Sequence, residues 1–153
     1  MSGFGAHWRF VLCSTGFCWA LSFPRGEPNV LKGRCNCGAV TFDVTGDVKS
    51  VSACHCGQCR RQSGGIWHSA VVERCDLQIT GMLQWYRSSP TAQRGFCPTC
   101  GAFLFWQNDS ESSMSFALGA LETPTGLTLQ KHIFTADQGD YYTINENTAQ
   151  KET

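Results

Sequence analysis

The stretch of sequence that decides the fold reads Cys-His-Cys-Gly-Gln-Cys-Arg-Arg and spans residues 54–61. Its cysteines, Cys54, Cys56 and Cys59, follow the spacing C-x-C-x-x-C, and thiolates this close in sequence can converge on one metal ion. Three protein thiolates leave one position of a tetrahedral zinc open, and catalytic zinc sites keep such a position for water or substrate. The stretch therefore predicts a zinc site, which would have an open position if these three thiolates are its only protein ligands.

Two cysteine pairs flank this stretch, one upstream and one downstream. Cys35 and Cys37 form a C-x-C pair, whereas Cys97 and Cys100 form a C-x-x-C pair that encloses a proline and precedes Gly101. The proline fixes φ at the start of a turn, and the glycine can take a positive φ at its end, which is the geometry of a zinc knuckle. Four thiolates close a tetrahedral site, so the two pairs predict a structural zinc that joins distant parts of the chain.

The spacing also admits a structural role for the central cluster, with a fourth ligand from His55, His68 or Cys75. His55 lies between two of the proposed ligands, so its side chain should point away from the metal if theirs point towards it. His68 and Cys75 stay open as ligands. The spacing alone does not decide between a catalytic and a structural zinc at this position.

Arginines accompany all three groups of cysteines. Arg60 and Arg61 directly follow the central cluster, and Arg34 and Arg94 precede the flanking pairs. A zinc with three thiolates carries a net charge of about −1, and one with four thiolates about −2. The arginines therefore either offset the thiolate charge or bind carboxylates of a ligand, which a guanidinium group does with two parallel hydrogen bonds.

The composition of the chain bears on its expected binding partners and on its cellular compartment. The chain has 153 residues, which fits one domain, and its formal net charge is zero. A neutral chain has no electrostatic footprint for nucleic acid or for an acidic membrane surface, so neither is expected as a partner. Ten cysteines would suit the disulfide framework of a secreted protein, but seven lie in the three clusters, and cysteines two residues apart rarely bridge each other. Metal binding is therefore favoured, which implies a reducing, cytoplasmic location.

The chain divides into an extension, a domain and a tail. Residues 1–29 are expected to be a poorly ordered extension, in which Cys13 and Cys18 have no assigned role. Their apolar run is too short to span a bilayer and weakly resembles a signal peptide. We favour an extension, because export would place the thiolates in an oxidising compartment. Residues 30–145 are expected to form the domain, and residues 146–153 a short tail.

The domain is expected to be all-β. Apolar and polar residues alternate at 40–45, as in a half-buried strand. Several such strands follow at spacings of about 8–12 residues with turn signals between them, which is typical of an all-β domain. At most one helical turn is expected, at residues 60–63, and the last strand is expected from residue 127 to about residue 134.

Three motifs together resemble those of a known family. They are G-x-C-x-C-G-A-V at residues 33–40, C-H-C-x-x-C-R at residues 54–60 and R-x-F-C-x-x-C-G at residues 94–101. In this order they are similar to the motifs of the glutathione-dependent formaldehyde-activating enzyme family, also called the centromere protein V family. The resemblance covers residues 30 to about 145. It implies the Mss4-like fold, in which several small antiparallel sheets are stapled by zinc.

The resemblance also implies an activity and a set of site residues. The family's named activity is a carbon–sulfur lyase-type reaction that condenses formaldehyde with glutathione to S-hydroxymethylglutathione. Glutathione is then a co-substrate, an aldehyde is the second small-molecule partner, and two zinc ions bind per chain. The implied residues are Cys35, Cys37, Cys97 and Cys100 for the structural zinc, and Cys54, Cys56 and Cys59 for the catalytic zinc. Glutathione carries two carboxylates, so Arg60 and Arg61 are candidates to bind it, and Trp67 is a candidate for the pocket lining.

Other interpretations stay open beside this one. Residues 137–145 depart from the family pattern, in which many members have Pro-Trp before the final tyrosine, and this bears on the pocket wall. One alternative is an enzyme with the same site that acts on another thiol and carbonyl. A second is a non-catalytic, zinc-stapled binding module, although the short tail lacks a basic segment for chromatin. A methionine sulfoxide reductase of related fold is disfavoured, because its pattern does not include the central C-x-C-x-x-C cluster.

Overall fold

The computed structural model describes residues 30–144 and 148–151. The predicted extension at residues 1–29, with Cys13 and Cys18, lies outside the described residues. The described strands are β1 (Leu31–Arg34), β2 (Thr41–Val44), β3 (Ser50–Cys54), β4 (Trp67–Glu73), β5 (Leu77–Thr80), β6 (Gln84–Ser89), β7 (Ala92–Phe96), β8 (Phe103–Asn108), β9 (Ser113–Ala117), β10 (Lys131–Ile133) and β11 (Ala149–Lys151). One α-helix, α1 (Gly57–Ser63), and three 3-10 helices, Arg74–Asp76, Leu118–Ala120 and Thr135–Asp137, complete this part of the chain.

The strands form two sheets, which confirms the all-β prediction. The smaller sheet has the order β1-β2-β5, and the larger has the order β11-β10-β3-β4-β9-β8-β7-β6. Most neighbours are antiparallel, but β10 runs parallel to both β3 and β11. At the far edge, the pairing of β6 with β7 shifts register between Arg87 and Ser89. No helix in the described residues is long and apolar enough to cross a membrane.

The main core lies where β2 of the small sheet meets the large sheet. Val40, Phe42 and Val44 are buried, as their alternation predicts. The ring of Phe42 packs edge-on against Phe105, with 5.1 Å between centroids, and tilted against Phe116 at 5.9 Å. Each fully buried apolar side chain of this size contributes about 1.5–3 kcal/mol to stability. Packing of the two sheets therefore fixes the strands on which the cysteines sit.

Two elements differ from the sequence-based expectation. The helix begins at Gly57, earlier than expected, because the Cys56 side chain caps it by accepting a hydrogen bond from the Cys59 backbone N–H. It ends at Gly64, whose φ of 77° is the left-handed conformation that glycine adopts readily. The last predicted strand is shorter than expected, since only Lys131–Ile133 pairs as β10. Residues 127–129 contact the core without strand pairing.

Gly33 in β1 provides a test of the sheet-to-sheet packing. A Cβ atom at this position would overlap the ring of Phe42, so Gly33→Ala should lower the free energy of unfolding by about 1–3 kcal/mol through overpacking. The control is Gly65→Ala, where an added Cβ meets nothing within 4 Å. Urea unfolding of both variants would measure the difference, and equal midpoints would contradict the packing described above.

Candidate metal centre and adjoining cavity

The two flanking cysteine pairs meet at one point between the sheets. The sulfur atoms of Cys35, Cys37, Cys97 and Cys100 all lie within 4.8 Å of one another. Two turns bring them together, with φ values of 78° at Gly38 and 73° at Gly101, and the second has the positive φ that the knuckle predicts. These four thiols could hold a metal ion and occupy all four positions of a tetrahedral site.

Backbone N–H groups favour the thiolate form at this cluster. The Val40 N–H donates to the Cys35 sulfur at 3.2 Å. Hydrogen bonds from the backbone, first that of Ala102 and then that of Cys37, lower the pKa of Cys100 to about 6. The thiolate is the form that binds metals. The backbone therefore favours the thiolate form at Cys35 and Cys100. At Cys37 the backbone hydrogen bond from Ala39 is outweighed by the neighbouring thiols, first that of Cys35, and the pKa rises to about 11.

The three central cysteines come from adjoining elements and also converge. Cys54 ends β3, Cys56 caps α1 and Cys59 lies in its first turn, and their sulfur atoms lie within 4.8 Å of one another. Among the described residues, no fourth cysteine, histidine or carboxylate joins this group. His68 instead lines a cavity of about 840 Å³ that these three cysteines do not line, and Cys75 lies outside both clusters. A metal ion held by these three thiols would keep a position open.

His55 points away from the thiols, as its position between two of them predicts. It is fully buried, with Nδ1 2.6 Å from the Tyr142 hydroxyl and Nε2 2.8 Å from Nδ1 of His132. Burial, and then the neighbouring His132, lower the pKa of His55. A neutral imidazole has one donor and one acceptor, so His55 can satisfy both contacts, donating in one and accepting in the other. Sequence reasoning missed this network, since no local spacing signals it.

Arg94 lies against the central cluster, not against the pair that it precedes in sequence. Its guanidinium donates to the Cys59 sulfur at 3.6 Å and to the Gln58 side-chain oxygen at 3.0 Å, and it lies 5.4 Å from the Phe103 ring centroid. Arg94 is only 3% exposed, and no carboxylate in the described residues pairs with it. A buried charge is costly unless it is paired. Thiolate charge at the cluster therefore compensates the positive charge of Arg94. This is one of the two roles that the sequence predicts for the arginines.

The thiols of Cys54 and Cys59 have pKa values shifted in opposite directions. Hydrogen bonds from the Cys54 thiol and then from Arg94 outweigh the effect of burial and lower the pKa of Cys59 to about 6. The pKa of Cys54 is raised, first by its hydrogen bond to Cys59 and then by burial. In the absence of a metal, Cys59 is therefore the first of these two thiols to ionise.

A cavity of about 760 Å³ opens beside the central cluster, a size usual for small-molecule sites. All three cysteines of the cluster line it, with hydroxyl groups of β3, β4 and β9 and with charged groups of both signs. Arg61 and Trp67 are among its lining residues, and Arg60 is not. Trp67 is also a core residue, since it is 7% exposed and its ring stacks on Phe103 at 4.4 Å. Further lining residues are Ser52, Ser69, Trp106, Glu111, Ser115, Lys131, Phe134 and Asp137.

Comparison with known proteins identifies the family. The family model described as glutathione-dependent formaldehyde-activating enzyme matches residues 30–137. The chain belongs to the glutathione-dependent formaldehyde-activating enzyme family. A crystal structure of a Rhodobacter sphaeroides protein is similar at 30% identity and a TM-score of 0.51, over 63% of this chain and 90% of that one. No curated protein matches the chain. Membership of this family supports a function in glutathione and formaldehyde chemistry at the level of the family.

The hydrogen bond between Tyr142 and His55 should contribute measurably to stability. Tyr142→Phe keeps the ring but removes the hydroxyl, which leaves a buried imidazole nitrogen unpaired and should cost about 1–3 kcal/mol. Tyr141→Phe is the matched control, because Tyr141 is 66% exposed and should change stability by less than about 0.5 kcal/mol. Thermal unfolding of the two variants would compare them, and similar midpoints would argue against the network.

Proposed function

We propose that the protein is a zinc-dependent enzyme of the carbon–sulfur lyase type, which condenses formaldehyde with glutathione to S-hydroxymethylglutathione. The observation that carries the proposal is the three-thiol cluster, which borders a cavity and has no fourth ligand among the described residues. The proposal includes two zinc ions per chain. Cys35, Cys37, Cys97 and Cys100 hold the structural ion, and Cys54, Cys56 and Cys59 hold the catalytic one.

The donor set fits zinc. Thiolates are preferred ligands of zinc, and structural sites are closed by four of them whereas catalytic sites have three protein ligands. The seven clustered cysteines are thiols and form no disulfides, which suits a reducing compartment such as the cytoplasm. Zinc at the central cluster would supply a Lewis-acid position that favours the thiolate form of a bound thiol.

Arg94 sets the charge of the site. Three thiolates and one zinc sum to about −1, and the buried guanidinium beside Cys59 brings this corner of the cavity close to neutral. A substrate thiolate would then approach without strong repulsion from the protein's own sulfur atoms. Gln58 holds Arg94 in place through its side-chain oxygen.

The cavity residues orient the two reactants. Arg61 and Lys131 lie in the cavity lining and offer cationic groups for the two carboxylates of glutathione, whereas the Trp67 ring offers a flat apolar wall. In the reaction the thiol loses its proton, a carbon–sulfur bond forms, and the carbonyl oxygen of formaldehyde gains a proton. Formaldehyde is small and unhindered, so holding it against the thiolate supplies most of what the reaction needs.

The two clusters should respond differently to loss of one cysteine. Cys100→Ser should lower the unfolding temperature strongly, because a closed structural zinc contributes folding free energy, about 10–16 kcal/mol in small zinc peptides. Cys56→Ser should remain folded and lose one of about two zinc ions per chain. Elemental analysis with thermal unfolding would measure both quantities. One zinc in the intact protein, or equal unfolding of both variants, would contradict the division into structural and catalytic sites.

The intact protein should accelerate exchange between free glutathione and S-hydroxymethylglutathione in the presence of formaldehyde. Because the adduct also forms without an enzyme, exchange NMR at equilibrium is the appropriate measurement, and it reports the interconversion rate directly. Cys56→Ser and zinc-chelated protein should lose the acceleration. The matched control is Cys75→Ser, which removes a cysteine outside both clusters and should leave the rate unchanged. Acceleration that survives in Cys56→Ser would come from adventitious thiols and would refute the proposed site.

A further inference from the structure

Phe134 has an unusual backbone conformation. Among the described residues other than glycine, it alone has a positive φ, of 56°, with a ψ of 46°. This left-handed region brings Cβ too close to the following carbonyl oxygen, and a bulky side chain there is a genuine outlier. Such conformations persist only where the surrounding structure imposes them, and they cluster at functional sites.

The same residue is also an exposed aromatic side chain. Phe134 is 42% exposed, so burial in the core does not compensate for the strain. It lines the cavity beside the central cysteines. Two of the three thiols are buried, since Cys54 is 5% and Cys59 3% exposed, whereas Cys56 is half-buried. The ring of Phe134 is therefore more open to solvent than the Cys54 and Cys59 thiols that line the same cavity.

Hydrogen bonds on both sides hold Phe134 in this position. The preceding residue, Ile133, is the β10 partner of Cys54, and its carbonyl accepts a hydrogen bond from the His55 N–H at 3.0 Å. The Phe134 carbonyl accepts one from the Asp137 N–H at 3.2 Å, within the turn that begins the 3-10 helix. The strained residue is thus fixed relative to the cysteine cluster through its direct neighbour.

We propose that Phe134 is a specificity-determining residue, which covers the body of a peptide-sized thiol whose sulfur lies at the central cluster. This inference rests on the proposed entry of a thiol at that cluster. A small thiol has little apolar surface beyond its sulfur to place against this ring, whereas a tripeptide-sized thiol fills more of the cavity that Phe134 lines and gains the contact. Phe134 therefore selects extended thiols over short ones without touching the reacting atoms.

Thiol binding to the cobalt-substituted protein tests this directly, because a rise in cobalt–thiolate absorption above that of the protein's own cysteine ligands reports thiol entry without any turnover. The probes are glutathione and 2-mercaptoethanol. Phe134→Gly and Phe134→Asn both relieve the strain, since these residues adopt the left-handed conformation more readily. Both variants should unfold about 2–8 °C higher, bind glutathione about 5–20-fold more weakly through loss of apolar contact, and bind 2-mercaptoethanol as the intact protein does.

Phe134→Leu is the matched control for the side chain. It keeps the strained backbone and part of the apolar contact, so it should show no rise in unfolding temperature and only about a threefold loss of glutathione affinity. Unchanged glutathione affinity in the glycine and asparagine variants would overturn the inference, and so would a fall in their unfolding temperature. If the intact protein shows no cobalt–thiolate response to either thiol, the proposed function itself fails, and this inference fails with it.

Discussion

The convergence of four thiols between the two sheets is the constraint on which the rest of the structure depends. Cys35 and Cys37 follow the first strand of the small sheet, whereas Cys97 and Cys100 lie in the turn between two strands of the large sheet. A closed metal site at this point would connect the sheets directly. The packing of Phe42 against Phe105 and Phe116 lies in the same interface. Metal binding at the four sulfur atoms would therefore stabilise the same arrangement of strands as burial of the apolar side chains.

At the central cluster, electrostatics make an incomplete site unfavourable, because a buried charge is then left without a partner. A buried guanidinium and buried thiolates each depend on the other for compensation, and loss of one partner leaves an uncompensated charge. Arg94 reaches the cluster from β7, whereas the three cysteines come from β3 and α1. The site is therefore complete only when distant parts of the large sheet have assembled.

Local spacing in the sequence predicted the central cysteine cluster, the turn at Gly101 and the outward direction of His55, which depend on residues one to five positions apart and on backbone rules. The joining of Cys35 and Cys37 with Cys97 and Cys100 spans about 60 residues and was predicted from the number of ligands that a closed zinc site needs. The contacts of Tyr142 and Arg94 join residues 87 and 35 positions apart, and no local pattern records such pairings. The early start of α1 was not predicted, because its cap is Cys56 and cysteine is not among the usual capping residues. Roles of Arg60, Arg61 and Trp67 towards glutathione stay predictions.

The irregular pairing of β6 with β7 bears on how molecules of this protein meet one another. Among residues 30–144 and 148–151, no further strand pairs with the outer edges of β6 and β11, and such an edge presents a row of backbone donors and acceptors to which a strand of another copy could add. At β6 the register shift between Arg87 and Ser89 disturbs that row, and Arg87 carries a charge there that is paired with Asp109. At the other end, β11 is only three residues long. An irregular, charged edge and a very short edge strand are both features that oppose strand addition.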